Sequence, residues 1–279
     1  MIPKRFDSKC EICEKTHKPL WHDDHAAVSR CSHCQHVKIK PCYDAGLAKY
    51  SPEYYSIHHR RWFSASHRLI VNLLQRFFDG ETSQLRMLDV GCGPGALLLE
   101  LRCKRPQWQL NGLDFVPAQL PPGCRFHQAD ILRWSPDQPF DLVTCISVIE
   151  NLPNASPKHF AARLNAFLTV DGYLLLTTPN NNSLLAILAC WLRRIGWRKP
   201  SRMIYSSENK QFFSKQSLNL LLKQNGFEPI FIGTRSLPLA AVDAPVRNPV
   251  LWFVTALGVW LLSGFGGVFG KGHMLVALA

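Results

Sequence analysis

The stretch LRMLDVGCGPGALLLELRCK, residues 85–104, decides the fold class of this 279-residue chain. An apolar run ends at Asp89, a turn with three glycines fills residues 91–95, and a second apolar run begins at Ala96. A strand, a glycine-rich turn and a helix N-terminus in this order open the nucleotide-binding half of a doubly wound α/β sheet. We therefore expect a nucleoside-binding α/β domain.

Charge at this turn indicates the class of cofactor. GCGPGA also fits the dinucleotide pattern G-x-G-x-x-G/A, because Ala96 can replace the last glycine. A pyrophosphate needs N–H donors and positive charge, yet Pro94 has no N–H and Asp89 places a carboxylate at the strand end. S-adenosylmethionine has no phosphate and presents an ammonium and a sulfonium, which suit a carboxylate. The sequence therefore favours S-adenosylmethionine over a dinucleotide.

Two further predicted strands also end in acidic residues. WQLNGLD ends at Asp114, 19 residues beyond Gly95, where a carboxylate accepts hydrogen bonds from ribose hydroxyls. Phe115 follows it and is expected to cover the adenine face. FHQADIL places Asp130 and Ile131 after a short third strand, near the expected adenine amino group. Each acid alone fits a surface charge, but three at successive strand ends indicate one nucleoside site.

The rest of the chain continues the alternation of strands and helices. An amphipathic helix, LIVNLLQRFF, precedes the first strand, and FDLVTCISVIENLPN predicts a buried fourth strand followed by a turn with Ser147, Glu150 and Asn151. This turn is expected to face the transferable methyl group. A helix, a turn at Asp171-Gly172 and the strand YLLLTTPN come next. The helix SKQSLNLLLKQ and the strand FEPIFIG follow.

Four cysteines near the N-terminus predict a structural zinc site. They form two C-x2-C pairs separated by 17 residues, the spacing of a four-thiolate zinc ribbon: Cys10, Cys13, Cys31 and Cys34. The alternatives are free thiols or a redox pair. Glu14 and Gln35 stand where zinc knuckles often place glycine. Five histidines in the same segment are alternative ligands, although each fits a solvated loop: His17, His22, His25, His33 and His36.

These patterns divide the chain into three parts. Residues 1–45 are predicted to be the zinc-ribbon module, and residues 46–80 an aromatic and helical link. Residues 81–279 are predicted to be the α/β domain, with apolar insertions at 183–202 and 248–270.

Basic charge lies at the two ends of the chain. Residues 1–70 carry 12 basic and 7 acidic residues, 71–179 carry 9 and 10, and 180–279 carry 11 and 3. Such ends suit a phosphate-bearing substrate, an anionic bilayer or nucleic acid, or form a plain basic surface. No apolar core follows the basic residues of MIPKRFDSKC, so we expect no secretory signal and a cytoplasmic, reducing location, where paired cysteines favour metal.

The two apolar insertions suggest contact with a membrane surface. Residues 248–270 are 23 uncharged residues, enough to span a bilayer, but four glycines after position 263 are expected to interrupt a helix. We therefore favour a helix or hairpin in the membrane interface. LLAILACWLRRIGWRKPSR has the composition of a basic interfacial helix. Peripheral contact at the inner membrane face through 183–202 and 248–270 is expected, with core burial or dimer packing as the alternative.

Together these motifs resemble class I S-adenosylmethionine-dependent methyltransferases of the small-molecule kind, especially bacterial members with an N-terminal four-cysteine zinc ribbon. The resemblance covers nearly the whole chain. It implies a seven-stranded, mostly parallel sheet whose antiparallel last strand, HMLVALA, lies between the fifth and sixth strands. It also implies that the glycine loop and its acid hold the methionine part of the cofactor, the second acid the ribose and the third the adenine. The predicted cofactor-binding residues are Asp89, Gly91, Cys92, Gly93, Gly95, Asp114, Phe115, Asp130, Ile131 and Ser147.

The catalytic residues are less clearly marked. Related quinone-biosynthesis O-methyltransferases have a Glu-His pair with another acid three residues earlier, where this chain has Ser147, Glu150 and Asn151. Neither a divalent metal nor a histidine base is predicted there. We predict in-line methyl transfer to an oxygen, with Glu150, Asn151 and His59 as the catalytic residues. The expected acceptor is a small molecule, a lipid-linked phenol or isoprenoid, or a sugar of a glycolipid or surface polysaccharide.

Two other functions fit parts of the sequence. An RNA methyltransferase would use the zinc module and basic ends to bind phosphates, but no aromatic RNA-binding signature is present, so nucleic acid is not expected. A zinc-bearing interaction protein on a retired methyltransferase fold is the other alternative, against which the intact glycine loop argues. The sequence carries no signal for the oligomeric state.

Overall fold

A computed structural model describes residues 9–42, 60–78, 84–152, 156–206, 209–236 and 249–279. The strands are β1 His17–His22, β2 Ala26–Cys31, β3 Val37–Pro41, β4 Arg86–Val90, β5 Gln109–Asp114, β6 Arg125–Gln128, β7 Phe140–Ile146, β8 Leu168–Pro179, β9 Gln211–Phe212, β10 Phe231–Arg235 and β11 Met274–Leu278. The helices are α1 Arg60–Phe77, α2 Ala96–Lys104, α3 Pro157–Ala166, α4 Leu184–Arg194, α5 Lys199–Ile204, α6 Lys215–Gln224 and α7 Pro249–Val268.

Seven strands form the main sheet, in the order β10-β11-β8-β7-β4-β5-β6. The pairs from β8 to β6 are parallel, whereas β11 is antiparallel to both β8 and β10. All five residues of β11 are buried, as expected for a strand covered on both faces of a sheet. The predicted doubly wound sheet, with its antiparallel last strand between the fifth and sixth, is confirmed.

Alternate residues of each strand face two separate apolar layers. On one face, Met87 and Leu142 pack with Ile70 and Leu74 of α1 and with α2. On the other face, neighbouring strand residues pack with α3 and α6. Helices on both faces fix the sheet, and the strand order reverses around β4. Ligands of open α/β sheets bind at the carboxyl ends of the strands at such a switch point.

The predicted turn at Asp171-Gly172 is wrong, because both residues lie within β8. The pairing with β7 shifts there, from Phe140 opposite Leu168 to Leu142 opposite Tyr173. A Cβ atom on Gly172 would lie 3.0 Å from the Phe140 carbonyl oxygen. The Asp-Gly pair therefore forms an irregularity inside a continuous strand, where glycine permits close approach of the neighbouring backbone.

The N-terminal module takes one strand from the α/β domain. Its antiparallel sheet has the order β1-β2-β3-β9, and β9 comes about 170 residues after β3. Its apolar cluster also joins both parts, since Val28 and Val37 pack with Ala186, Tyr205 and Phe212. Small modules bury too little apolar surface to be stable alone. This module shares its core with the domain.

The two insertions differ in detail from the predictions. Residues 183–202 form two helices, α4 and α5, separated by a turn in which Gly196 has a φ of 98°. The predicted interruption of the second insertion at its glycines is wrong, because α7 continues to Val268. A Cβ atom on Gly266 would lie 2.5 Å from the Lys271 carbonyl oxygen, so this glycine lets the following chain fold back. Among the described residues, no helix combines the length and apolarity needed to cross a membrane.

A buried ion pair ties the module to α4. The Asp23 carboxylate, in the turn between β1 and β2, lies 2.7 Å from Arg193 Nη2 and 3.4 Å from Arg202 Nε. The Asp23 and Arg193 side chains are only 6% and 10% exposed. Burial alone would raise the pKa of Asp23, but hydrogen bonds from Arg193 and from the amides of Ala26 and His25 hold it below its usual value.

We expect Asp23→Asn to lower the free energy of unfolding by about 3 kcal/mol, because it leaves the Arg193 charge buried without its partner. Asp24→Asn is the matched control: Asp24 also contacts Arg202 but is 77% exposed, so the change should cost about 0.5 kcal/mol or less. Since the folded-state pKa of Asp23 is lowered, its stabilising contribution should be present above the unfolded-state pKa of about 4 and lost as the pH falls below it. Denaturant unfolding at pH 7 measures both variants, and equal losses would contradict the assignment.

Candidate active site

The glycine loop between β4 and α2 forms the floor of the candidate site. Gly91, Gly93 and Gly95 have φ values of 71°, 49° and 76°, in the left-handed region that favours glycine. A Cβ atom on Gly91 would lie 2.4 Å from Val148 Cγ2, in the segment after β7. The loop therefore packs directly against the end of the neighbouring strand, and glycine is needed there for both space and conformation.

Asp89 is buried at the end of β4, next to this loop. Its carboxylate accepts a hydrogen bond of 2.6 Å from the Thr144 hydroxyl of β7. Burial raises the pKa of Asp89 to about 7, and the nearby Asp114 charge adds to the increase, while the Thr144 hydrogen bond opposes it. A cationic ligand at this position would favour the ionised carboxylate.

Asp114 ends β5 and organises the turn that follows. Its Oδ2 accepts a hydrogen bond from the Gly93 amide at 2.9 Å, and its Oδ1 accepts one from the Val116 amide at 3.0 Å. Each carboxylate oxygen has two lone pairs, so both oxygens can still accept a further hydrogen bond from a ligand hydroxyl. Phe115 beside it is 42% exposed. The strand end therefore presents an acceptor pair and an accessible aromatic ring.

The other predicted cofactor residues lie around these two acids. Asp130 is exposed after β6, where its Oδ1 accepts a hydrogen bond from the Leu132 amide at 3.0 Å, and Ile131 is half-buried beside it. Cys92 is buried and packs in the apolar layer with α1 and α2. Only its backbone is thus placed to contribute to the loop. None of the predicted cofactor residues is basic, which fits a cofactor without phosphate.

The segment after β7 carries the residues predicted to face the methyl group. Ser147 has a φ of 56°, a conformation that costs a non-glycine residue about 1 kcal/mol or more. Ile149–Asn151 form one 3-10 turn, and Asn151 Nδ2 donates to the Ser147 carbonyl at 2.9 Å. We call residues 147–151 the β7 loop.

Glu150 lies inside the protein at the base of the β7 loop. It is 2% exposed, and its carboxylate accepts a hydrogen bond of 3.0 Å from the Thr178 hydroxyl of β8. Burial raises the pKa of Glu150 to about 7, against the lowering effect of hydrogen bonds from its own backbone, Thr178 and Ser147. His59, the third predicted catalytic residue, lies outside the described residues. The structure thus brings Ser147, Glu150 and Asn151 together in one turn.

The four paired cysteines converge on one point in the N-terminal module. Their sulfur atoms all lie within 4.8 Å of one another, with 3.5 Å between Cys10 and Cys34 and 3.4 Å between Cys13 and Cys31. These distances are too long for disulfides and close to the roughly 3.8 Å edges of a zinc–thiolate tetrahedron. The four thiols therefore fit one tetrahedral metal ion.

Backbone geometry around the cysteines also fits metal binding. Glu14 and Gln35, which stand where knuckles often have glycine, have φ values of 62° and 64°. They adopt the left-handed conformation without glycine. Two histidines also approach Cys10 as a second possible ligand group. His17 Nδ1 bonds Ser29 Oγ at 3.0 Å and His36 Nε2 bonds Gln211 Oε1 at 3.0 Å, so each ring has a protein partner at one nitrogen, which is compatible with metal binding at the other.

Three contacting residues were not predicted from the sequence. Thr144 bonds the Asp89 carboxylate and Thr178 bonds the Glu150 carboxylate. Each threonine is a polar residue inside an apolar strand. Because buried polar groups need partners, this pattern could have indicated their contacts. Gln211 bonds both His36 and the Ile149 carbonyl. Its partners are 175 and 62 residues away, so local sequence gives no signal for it.

Comparison with known proteins identifies the family of this chain. The family model described as "Methyltransferase domain" matches residues 57–230. Over 101 residues, the chain is 36% identical to trans-aconitate 2-methyltransferase of Klebsiella pneumoniae (strain 342), covering 34% of this chain and 39% of that enzyme. It is 32% identical to the corresponding enzyme of Escherichia coli O139:H28, and this match covers 33% of this chain and 38% of that enzyme. The match thus spans about two fifths of the length of these curated relatives.

Solved structures agree on the fold. A SAM-dependent methyltransferase from Archaeoglobus fulgidus superposes with a TM-score of 0.53 at 18% identity, covering 81% of this chain and 99% of that chain. The plantazolicin methyltransferase BpumL in complex with SAH gives a TM-score of 0.51 at 16% identity, covering 84% and 90%. Because the family model covers more than half of the residues, the chain belongs to the methyltransferase-domain family, and it has the fold of a solved SAM-dependent methyltransferase.

Proposed function

We propose that this protein transfers the methyl group of S-adenosylmethionine to an oxygen atom of a small-molecule acceptor. The observation that carries the proposal is the pair of buried carboxylates, Asp89 and Asp114, beside the glycine loop at the switch point of the sheet. The names of the curated relatives, which are methyltransferases of trans-aconitate, support a small-molecule acceptor.

S-adenosylmethionine would supply an electrophilic methyl group: the acceptor oxygen would donate an electron pair to the methyl carbon, and the bonding pair would remain on sulfur. Asp89 would hold the cationic methionine part, Asp114 the ribose hydroxyls, and Phe115 with Asp130 the adenine. Chain residues then contribute alignment and exclusion of water. The proton of the acceptor hydroxyl passes to a base or to water.

The β7 loop would form the acceptor side of the site. Asn151 is half-buried at its end, and we propose that it contacts the acceptor together with His59. Glu150 is bonded to Thr178 inside the protein, so we propose that it acts by holding the loop in place. For the cysteine cluster we propose a structural zinc ion bound by Cys10, Cys13, Cys31 and Cys34.

Calorimetric titration with S-adenosylmethionine tests the cofactor site directly. We expect micromolar binding by the unchanged protein and about 10- to 100-fold weaker binding by Asp114→Asn, because hydrogen bonds to a charged group contribute about 1.5–3 kcal/mol. Asp137→Asn, at an exposed position before β7, is the control and should bind as the unchanged protein does. No binding to the folded protein would contradict the proposal and favour an interaction protein on a retired fold.

The raised pKa of Asp89 predicts a pH dependence of cofactor affinity. Burial raises the pKa of Asp89 in the free protein to about 7, whereas a cationic cofactor favours the carboxylate, so binding below this pH should release a proton. Affinity should therefore fall by up to about tenfold for each pH unit below 7 and level off above it. Asp89→Asn should bind the cofactor weakly, and its affinity should change less with pH because the titrating carboxyl is gone. Titration of the cofactor itself affects both proteins equally. Parallel profiles from pH 5.5 to 8.5 would refute the assignment.

We further propose that α4, α5 and α7 contact an anionic membrane surface, which would suit a lipid-linked or glycolipid acceptor. Trp191, Trp197 and Met203 are at least half exposed, and so are Phe265 and Phe269 at the end of α7. Arg194, Arg198 and Lys199 are exposed among the residues of α4 and α5. Exposed aromatic side chains next to basic residues suit an interface with anionic headgroups.

Vesicle sedimentation tests this contact. The unchanged protein should bind vesicles containing phosphatidylglycerol more strongly than vesicles of phosphatidylcholine alone, and high salt should weaken the binding. Trp197→Asp should reduce the bound fraction several-fold. Val170→Asp, a matched change at an exposed apolar residue of β8, should leave it unaltered. Equal binding of both variants, or none by the unchanged protein, would overturn the membrane proposal and leave the cofactor proposal standing.

A further inference from the structure

The side chain of Gln211 links the zinc module to the β7 loop. Gln211 Nε2 donates to the Ile149 carbonyl at 2.7 Å, and its Oε1 lies 3.0 Å from His36 Nε2. Gln211 is 5% exposed and His36 is 1% exposed. Both ends of one buried amide are therefore engaged, with the module on one side and the loop on the other.

Backbone bonds hold the same two parts together beside this amide. The Lys210 amide donates to the Glu150 carbonyl at 2.7 Å, and the Ile39 amide donates to the Lys210 carbonyl at 2.8 Å. Gln211 itself pairs with Lys38 across β3 and β9. The carbonyls of Ile149 and Glu150 are thus bound by two consecutive residues, Gln211 at the start of β9 and Lys210 just before it.

The cysteine cluster fixes the other end of this connection. His36 Nδ1 lies 4.0 Å from Cys10 Sγ, and its ring packs 5.2 Å from the ring of Phe213. Ser214 Oγ donates to the Cys34 carbonyl at 2.7 Å. Closure of the cluster around a metal ion would therefore set the position of His36 and, through it, the orientation of the Gln211 amide.

The β7 loop needs such support. Ser147 holds a left-handed conformation that persists only where the surroundings impose it. Within the loop, Asn151 bonds the Ser147 carbonyl. The carbonyls of Ile149 and Glu150 are bonded from outside the loop, by residues 210–211. Loss of a buried donor would leave the Ile149 carbonyl without this partner in a low-dielectric environment, which is costly.

We propose that Gln211 is a positioning residue that makes the order of the β7 loop depend on metal binding by the zinc module. This inference rests on the proposed zinc site and deepens the proposed function, because the β7 loop is the acceptor side of the methyl-transfer site. The module thereby acts on the site without supplying a residue that touches the cofactor.

Hydrogen–deuterium exchange of the full chain tests the coupling. Two variants remove different hydrogen bonds of the Gln211 side chain. Gln211→Met removes both of them, and Gln211→Glu keeps the acceptor for His36 but loses the donor to the Ile149 carbonyl. In both, exchange of the Ser147 and Asn151 amides should rise about tenfold, while the amides of β4 keep their protection. Gln216→Met, on the exposed side of α6, is the matched control and should exchange as the unchanged protein does.

Metal analysis and chelation complete the test. The unchanged protein and Gln211→Glu should each hold one zinc per chain, and removing zinc from the unchanged protein should raise exchange in the β7 loop to the level of the variants. If both variants hold zinc and the loop keeps its protection, the coupling is refuted. If exchange in β4 rises as much as exchange in the β7 loop, Gln211 has only a general structural role and the proposal fails. Calorimetry with S-adenosylmethionine reports on the cofactor site separately, so failure of either proposal is distinguishable.

Discussion

The central constraint in this structure is that the carboxyl ends of β4, β5, β7 and β8 meet at one edge of the sheet. Parallel pairing brings Asp89, Asp114 and the β7 loop together although they are spread over 63 residues of sequence. The Thr144 hydroxyl bonds Asp89 and the Gly93 amide bonds Asp114, and the two acids interact because the Asp114 charge helps to raise the pKa of Asp89. An edge lined by glycines and by the buried carboxylates of Asp89 and Asp114 suits a cationic nucleoside, which is the basis of the functional proposal.

The N-terminal module is joined to the α/β domain by several contacts. It shares a strand, an apolar cluster and a buried ion pair with the α/β domain. Each contact compensates for the small amount of apolar surface that the module buries alone. Because these contacts reach α4 through Asp23 and the β7 loop through Gln211, the module connects the first apolar insertion to the β7 loop. A metal ion in the cysteine cluster would therefore stabilise α4 and the β7 loop as well as the module itself.

The sequence predicted those features whose causes are local. Glycines in the loop after β4 are required by positive φ values, and the C-x2-C pairs place their sulfurs through single tight turns, so both could be read from short motifs. The turn at Asp171-Gly172 and the interruption of α7 were predicted from local propensity and were wrong, because sheet pairing and close packing against Lys271 decide those positions. The hydrogen bonds of Gln211 to His36 and Ile149 could not be predicted from the neighbouring sequence. Its role follows from partners that only the folded chain brings together.

A crystal structure with bound S-adenosylhomocysteine, the demethylated product, would show whether this edge of the sheet is the cofactor site. We expect the ribose hydroxyls to lie within hydrogen-bonding distance of the Asp114 carboxylate, the methionine part to lie over the glycine loop beside Asp89, and the sulfur to face the β7 loop. A ligand bound elsewhere, or at this edge with Asp114 making no contact to the ribose, would contradict this assignment.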